Sequence, residues 1–289
     1  MSKIKKQLKA RPKAEKIVLA VVFCVFFVYA LSLIFPFVWA FLSSLKTDDE
    51  YYERVFALPR NWLFSNYIKA FDEFSIGGTN LTGMFVNSLW LTFAGTFVAV
   101  MVSSATAYVI AKYQFRGNSL IYKIAIFTMI IPIVGNLPSM YKLVLQLGLN
   151  NPIGILALYA GGFGFNFIIL HGFYRSVSWS YAEAGFVDGA SDLTVYFKII
   201  LPQAKASLIA ISILSCIGIW NDYLTPFLYL KQTPTLALGI YQFEIVQEHR
   251  SNVPVYYSAI LMSVLPIFTV FVAFQKTIME NTVAGGIKG

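Results

Sequence analysis

Long apolar runs, separated by short stretches that hold almost every charge, constrain this chain more than anything else in it. The first run, Ile17 to Leu42, is 26 residues long. A helix rising 1.5 Å per residue needs about 20 apolar residues to cross a bilayer. The run is also too long for the core of a cleaved signal and lacks a clear small-residue cleavage site. Further runs follow at about 85–111, 120–137, 152–173, 206–230 and 256–274, so the pattern predicts an all-α polytopic membrane protein with six spans. Only 12% of the 289 residues are charged, and the mean hydropathy is +0.66. A soluble domain carries about twice that charged fraction.

The positive charges orient these spans. With both ends on one side, the pieces on that side hold 15 of the 22 Lys and Arg. They include Lys3, Lys5, Lys6, Lys9, Arg11, Lys13 and Lys16 of a basic tail. Eight of the 14 acids fall in the two long loops on the other side, 43–84 and 231–255. The positive-inside rule therefore predicts cytoplasmic N- and C-termini in a cell membrane. The net charge of +8 suits anionic headgroups and gives no reason to expect nucleic acid. The expected organisation is a tail at 1–16, a first span with its external loop at 17–84, a core of spans 2–6 at 85–275, and a cytoplasmic tail at 276–289.

Catalytic and metal chemistry find little to work with. Cys24 and Cys216 lie inside apolar runs and read as packing residues. His171 and His249 stand without ligand spacing, and no Walker A, HExxH or GxSxG pattern occurs. Hence no metal, no catalytic residue and no cofactor on this chain are expected. Within the second span, Gly95, Ala99, Ser103, Ala107 and Ala111 recur every four residues, a stripe that lets another helix approach closely. Span 4 is rich in Gly (Gly154, Gly161, Gly162, Gly164, Gly172), which implies close packing or bending.

Two polar stretches stand out. Trp220-Asn221-Asp222-Tyr223 lies within span 5, where an acid is expensive and normally faces protein or water. Ser212, Ser215, Asp222, Thr225 and Tyr229 share one face of a continuous helix there. The four residues 220–223 are thus either a substrate pathway or a buried polar network. The second stretch is Ser180 to Pro202, between spans 4 and 5. Ser180 and Glu183 form a capping-box pattern, Gly189 suits a left-handed helix end, Ser191 or Asp192 caps a second helix to Ile200, and Pro202 stops it. Tyr181, Ala184, Val187 and Ala190 give a mild apolar stripe that wants another protein surface.

Glu183-Ala184-Gly185, Gly189 three residues on, and Ile199-x-Leu201-Pro202 nine residues later resemble the EAA motif, EAA-x3-G-x9-I-x-LP, of ABC importer permeases. Gly185 replaces the usual Ala and loosens the first helix by about 1 kcal/mol. The stretches IIPIVGNLPSMYKLVLQLGLNNP, WNDYLTPFLYL and VAGGIKG resemble the carbohydrate branch, and the likeness to MalG-like sugar permeases covers about residues 17–289. It implies a MetI-like fold and a cytoplasmic coupling helix at 176–205 that an ATPase grips through Glu183, Ala184, Gly185, Asp188, Gly189, Ala190, Ile199, Leu201 and Pro202. It also implies a tail (Ala284, Gly285, Gly286) touching that ATPase. The implied partners are a second, MalF-like permease, an ABC ATPase dimer carrying Mg-ATP, and an extracytoplasmic sugar-binding protein. The implied function is ATP-driven import of a sugar or oligosaccharide by alternating access. Import of a non-sugar solute is the alternative, and an ion-coupled secondary transporter fits less well because nothing then explains the 180–202 insert.

Overall fold

The computed structural model describes residues 12–130, 135–246 and 252–284. They are almost wholly helical and divide into two compact units, 1–70 with 250–261 and 71–249 with 262–289. Three helices among the described residues are single elements long and apolar enough to cross a membrane: Lys13–Ser44, Leu81–Lys112 and Val253–Lys276.

In the first unit, α1 (Lys13–Ser44) is a uniformly apolar helix whose side chains are mostly exposed, as a lipid-facing span requires. Its end is fixed by a polar knot. The Asn66 side-chain amide donates to the carbonyls of Ser44 and Lys46, at 2.9 and 2.8 Å. Lys46, 1% exposed, donates to Arg54 O and Val55 O just past α2 (Asp48–Glu53). Burial holds the Lys46 ammonium below the usual lysine range. Ser258, on the first turns of the last helix, donates to Pro254 O.

The second unit begins within α3 (Ser65–Glu73) and turns through a two-strand hairpin, β1 (Ser75–Ile76) and β2 (Thr79–Asn80). Gly77 and Gly78 supply the positive φ of its two-residue turn. Asn80 caps the helix that follows, accepting from Gly83 N–H at 3.0 Å. That helix, α4 (Leu81–Lys112), is the spine of the unit. Next come α5 (Asn118–Ile130), α6 (Leu137–Gln146), α7 (Leu156–Tyr159) and α8 (Phe165–Ser176). The chain goes on through α9 (Ser180–Val187), α10 (Asp192–Thr194), a π-helical turn (Val195–Ile200) and α11 (Leu201–Gln203). Then follow α12 (Lys205–Trp220), α13 (Leu224–Tyr229) and α14 (Leu236–Val246), and α15 (Val253–Ala284) closes the chain.

The small-residue stripe on α4 does what its spacing predicts. α4 packs most extensively against α8 and α12. A Cβ on Gly95 would lie 3.1 Å from Ile219 Cδ1 and 3.4 Å from Tyr159 Cδ2. Lower down, Ser103 Oγ donates to Gly161 O at 3.2 Å. Two expected spans are broken, however. Span 4 is not one helix over 152–173: α7 and α8 are separated by 160–164, where Gly164 takes φ +143°. Span 5 is not one helix over 206–230: it breaks at 221–223. Each break is stabilised by partners on other helices, which local spacing does not record.

Close packing at Gly95 gives a first test. Gly95→Leu forces a branched side chain into the space of Ile219 and Tyr159. It is expected to cost about 2 kcal/mol, read as a lowered thermal midpoint of the detergent-solubilised protein.

Candidate functional site

Between α8 and α12 the chain folds into an elbow of two short helical arms, Ser180–Val187 and Asp192–Gln203. Gly189, at φ +81°, ends the first arm. Gly189 N–H donates to Phe186 O at 3.0 Å and Ala190 N–H to Gly185 O at 2.9 Å, the two bonds of a Schellman turn. Ser191 opens the second arm, its hydroxyl accepting from Thr194 N–H at 3.4 Å.

Two details differ from expectation. The first arm does not use Ser180 and Glu183 as a capping box. Ser178 takes that place: its hydroxyl accepts from Ser180 N–H, and helical bonding begins at Trp179. Pro202 does not stop the second arm at Ile200. The arm widens to π geometry over Val195–Ile200, with Leu201 N–H reaching back to Tyr196 O. Pro202, lacking an N–H, then fits in the last turn, and Gln203 Nε2 donates to Ile199 O at 2.9 Å.

The arms cross at Gly185, the residue that departs from the EAA pattern. A Cβ there would lie 2.6 Å from Ile199 Cδ1 and 3.1 Å from Val195 Cγ2. The looser helix former is therefore compensated by a closer crossing. Ala182 and Gly185 face inward, whereas Glu183, Ala184, Asp188 and Gly189 are exposed; Ala190, Ile199 and Leu201 are half-buried, and Pro202 is exposed. The outer face carries unusually large apolar groups: Val187 is 87% exposed, Leu193 70%, Tyr181 53% and Phe197 50%. Leu193 and Phe197 were not among the expected contacts. Their signal is an i, i+4 apolar pair in an arm too short to bury both faces.

The inner face is anchored to the helical core. Tyr196 donates its hydroxyl to Ser104 Oγ at 2.8 Å, and Ser104 shares a 2.6 Å bond with the Tyr174 hydroxyl. Tyr108 packs among the rings of Tyr174, Tyr196 and Tyr113. Tyr113, just beyond the end of α4, donates to Asp192 Oδ1 at 2.6 Å. Burial and that bond hold the Tyr113 phenol well above its ordinary pKa. Lys112 donates to Val177 O, and Trp179 stands edge-on to Tyr113. The second arm and α12 meet at 81°. The bend, with Asp192, Lys198 and Gln203 in the short arm, marks that arm as elbow and not as part of a span.

The span 5 cluster has local partners. Asp222 Oδ2 accepts from the Tyr159 hydroxyl at 2.9 Å, and Oδ1 accepts from Thr225 N–H at 3.0 Å, opening α13. Trp220 is buried and donates to Ser263 O; Asn221 folds back onto Ile217 O; Tyr223 stacks on Tyr241 with ring centroids 4.3 Å apart. Asn166 ties α8 to Ser215 of α12 at 2.9 Å. The geometry makes Asp222 a joint between broken helices. Ala284 ends the last described helix, and Gly285 and Gly286 lie outside the described residues.

Broken spans around a small-residue spine, with an elbow held between two of them, define an all-α integral membrane protein of the MetI-like class. The family described as binding-protein-dependent transport system inner membrane component matches residues 99–280, and the chain belongs to it. The chain is 27% identical to the diacetylchitobiose uptake system permease protein NgcG of Streptomyces coelicolor, over 97% of this chain and 92% of that protein. It is 28% identical to the melibiose/raffinose/stachyose import permease protein MelC of Bacillus subtilis, over 97% and 99%. Its fold is similar to a chain of a bacterial ABC transporter involved in the import of the acidic polysaccharide alginate. That match has a TM-score of 0.77 and 26% identity, and covers 92% of this chain and 98% of the other.

The Asp222 joint yields a second test. Asp222→Ala leaves the Tyr159 hydroxyl and the Thr225 N–H without their acceptor and is expected to lower stability by about 2 kcal/mol. Asn221→Ala, on an exposed side chain, should leave the thermal midpoint almost unchanged.

Proposed function

We propose that this chain is the permease subunit of an ATP-driven importer for a sugar or oligosaccharide delivered by an extracytoplasmic binding protein. The observation that carries the reading is the elbow, with a bare apolar outer face and an inner face bonded into two helices of the core. A helix pair of this kind receives force from a partner in the cytoplasm and passes it to α4 and α8. The carbohydrate assignment is supported by the sugars for which the relatives are named, and these relatives match over nearly the whole chain.

In this scheme the cytoplasmic partner is an ATPase dimer, which carries the Mg-ATP. Val187, Leu193, Tyr181 and Phe197 insert into its cleft, and Glu183 pairs with a basic residue there. Gly189 holds the two arms at a fixed angle. The Tyr196–Ser104–Tyr174 chain makes the elbow move with α4 and α8, so motion of the ATPases rocks this chain against a second permease. Both termini are cytoplasmic, and the tail from Ala284 through Gly285 and Gly286 touches the ATPase pair. Trp220, Asn221 and Tyr223 border the pathway near the α12–α13 break, with Asp222 holding that break in shape.

Glu183→Lys reverses the charge of the outer face without touching the core. The variant is expected to reach the membrane at normal levels but to lose most ATPase co-purification and most uptake. An intact complex with normal substrate-stimulated hydrolysis would remove Glu183 from the contact. A milder variant, Tyr196→Phe, deletes only the hydroxyl bonded to Ser104. It should keep the ATPase bound while more ATP is hydrolysed per sugar imported.

A further inference from the structure

The end of the second unit away from the elbow holds a cleft of about 420 Å³, within the usual range for small-molecule sites of about 300–1,000 Å³. It is lined by the C-terminal part of α6, the 150–152 turn, the last residues of α13 (Leu228 and Tyr229) and residues 230–233 that follow. Its position follows from α4. Leu91 clusters with Val144, Ile155, Tyr229 and Leu230 behind the cleft, whereas Ser104 touches the elbow's Tyr196. Thirteen residues of helix separate the two, about 20 Å at 1.5 Å per residue.

We infer that this cleft, through Tyr141, Tyr229, Asn150, Gln232 and Thr233, is a saccharide-binding subsite on the extracytoplasmic side of the chain. The inference rests on the importer reading above, which sets the side. The Tyr141 and Tyr229 rings stack with centroids 5.8 Å apart and form an aromatic wall. Tyr229 is only 7% exposed, yet its hydroxyl has no hydrogen-bond partner among the described residues. The hydroxyl itself is not sealed from solvent, so it is free to donate to or accept from a group that enters the cleft. The side chains of Asn150, Gln232 and Thr233 are likewise unpartnered among the described residues. Asn151 is different: its amide donates to Gly148 O and its oxygen accepts from Ile153 and Gly154 N–H, so it builds the turn that shapes the cleft.

Together these groups offer an apolar face beside two amides and hydroxyls that both donate and accept. A pyranose presents the complementary surface, with C–H groups on its faces and hydroxyls around its rim. Lys231 is the one charged residue among those lining the cleft, which disfavours a cationic ligand. The volume suits a short saccharide, or the leading rings of a longer one, as it leaves the binding protein.

The test is saturation-transfer NMR on the assembled transporter in nanodiscs, without its binding protein. The probes are stachyose, raffinose and diacetylchitobiose. Transfer to the ring protons of at least one probe is expected. It should fall about fivefold, the loss of a single hydrogen bond, in each of Tyr229→Phe, Asn150→Ala and Gln232→Ala. Thermal midpoints should stay unchanged, because two of these side chains are exposed and the third change is isosteric. Undiminished transfer in the variants would put the sugar elsewhere and overturn the subsite. No transfer from any probe, while the complete system imports one of them, would overturn the subsite and leave the importer reading intact. Weaker capture of the binding protein with sugar transfer unaltered would also overturn it, giving the cleft to a protein contact. If the complete system imports none of the three, the importer reading falls for these sugars and the subsite falls with it.

Discussion

Three hydroxyls hold the elbow of this protein to its frame. Ser104 on α4, Tyr174 on α8 and Tyr196 in the elbow's second arm meet within 2.6–2.8 Å, and all three residues are buried. In an apolar interior such groups have no water to fall back on, so losing one bond leaves a donor or acceptor stranded at a cost of about 1–3 kcal/mol. The elbow therefore cannot slide over the core as a greasy contact would. It stays registered, and a displacement of the elbow is passed to two core helices at once.

The frame is built on closeness. Without a hydrophobic gain in separating helices from lipid, spans associate through packing and hydrogen bonds. α4 presents small residues along one face, and α8 and α12 come in against it. The same logic operates on a smaller scale at Gly185, where the Ile199 and Val195 side chains of the second arm occupy the space an Ala Cβ would take. The breaks at 160–164 and 221–223 then free backbone groups that must be satisfied inside the protein. Asp222 does this at one of them, by binding Thr225 N–H and the Tyr159 hydroxyl together.

Much of this was legible in the sequence because it depends on local rules. Apolar runs announce spans, four-residue spacing of small side chains announces a packing face, and a Gly after an acid announces a left-handed helix end. Gly189 adopts that conformation. What was not legible depends on residues far apart in the chain. Ser178 displaces Ser180 as the helix-opening hydroxyl, and the π turn before Pro202 relieves a missing N–H that a linear reading takes as a stop. Tyr174 and Tyr196 each look like ordinary aromatic residues until folding brings them to Ser104. The one-sided exposure of Leu193 and Phe197 emerges only once Val195, Tyr196 and Ile200 are seen to take the inner face. Asp222 was readable as either pathway or network, and only the location of Tyr159 weights it toward the network.

On the proposed reading, the elbow is a cytoplasmic handle gripped by a separate motor. The most direct measurement replaces Cys24 and Cys216 with Ser, introduces Val187→Cys, and labels with a membrane-impermeant maleimide in vesicles of both orientations. Labelling is expected only in inside-out vesicles, and is expected to be lost when the ATPase subunits are bound. Labelling in right-side-out vesicles, or labelling that bound ATPase leaves undiminished, would contradict that reading.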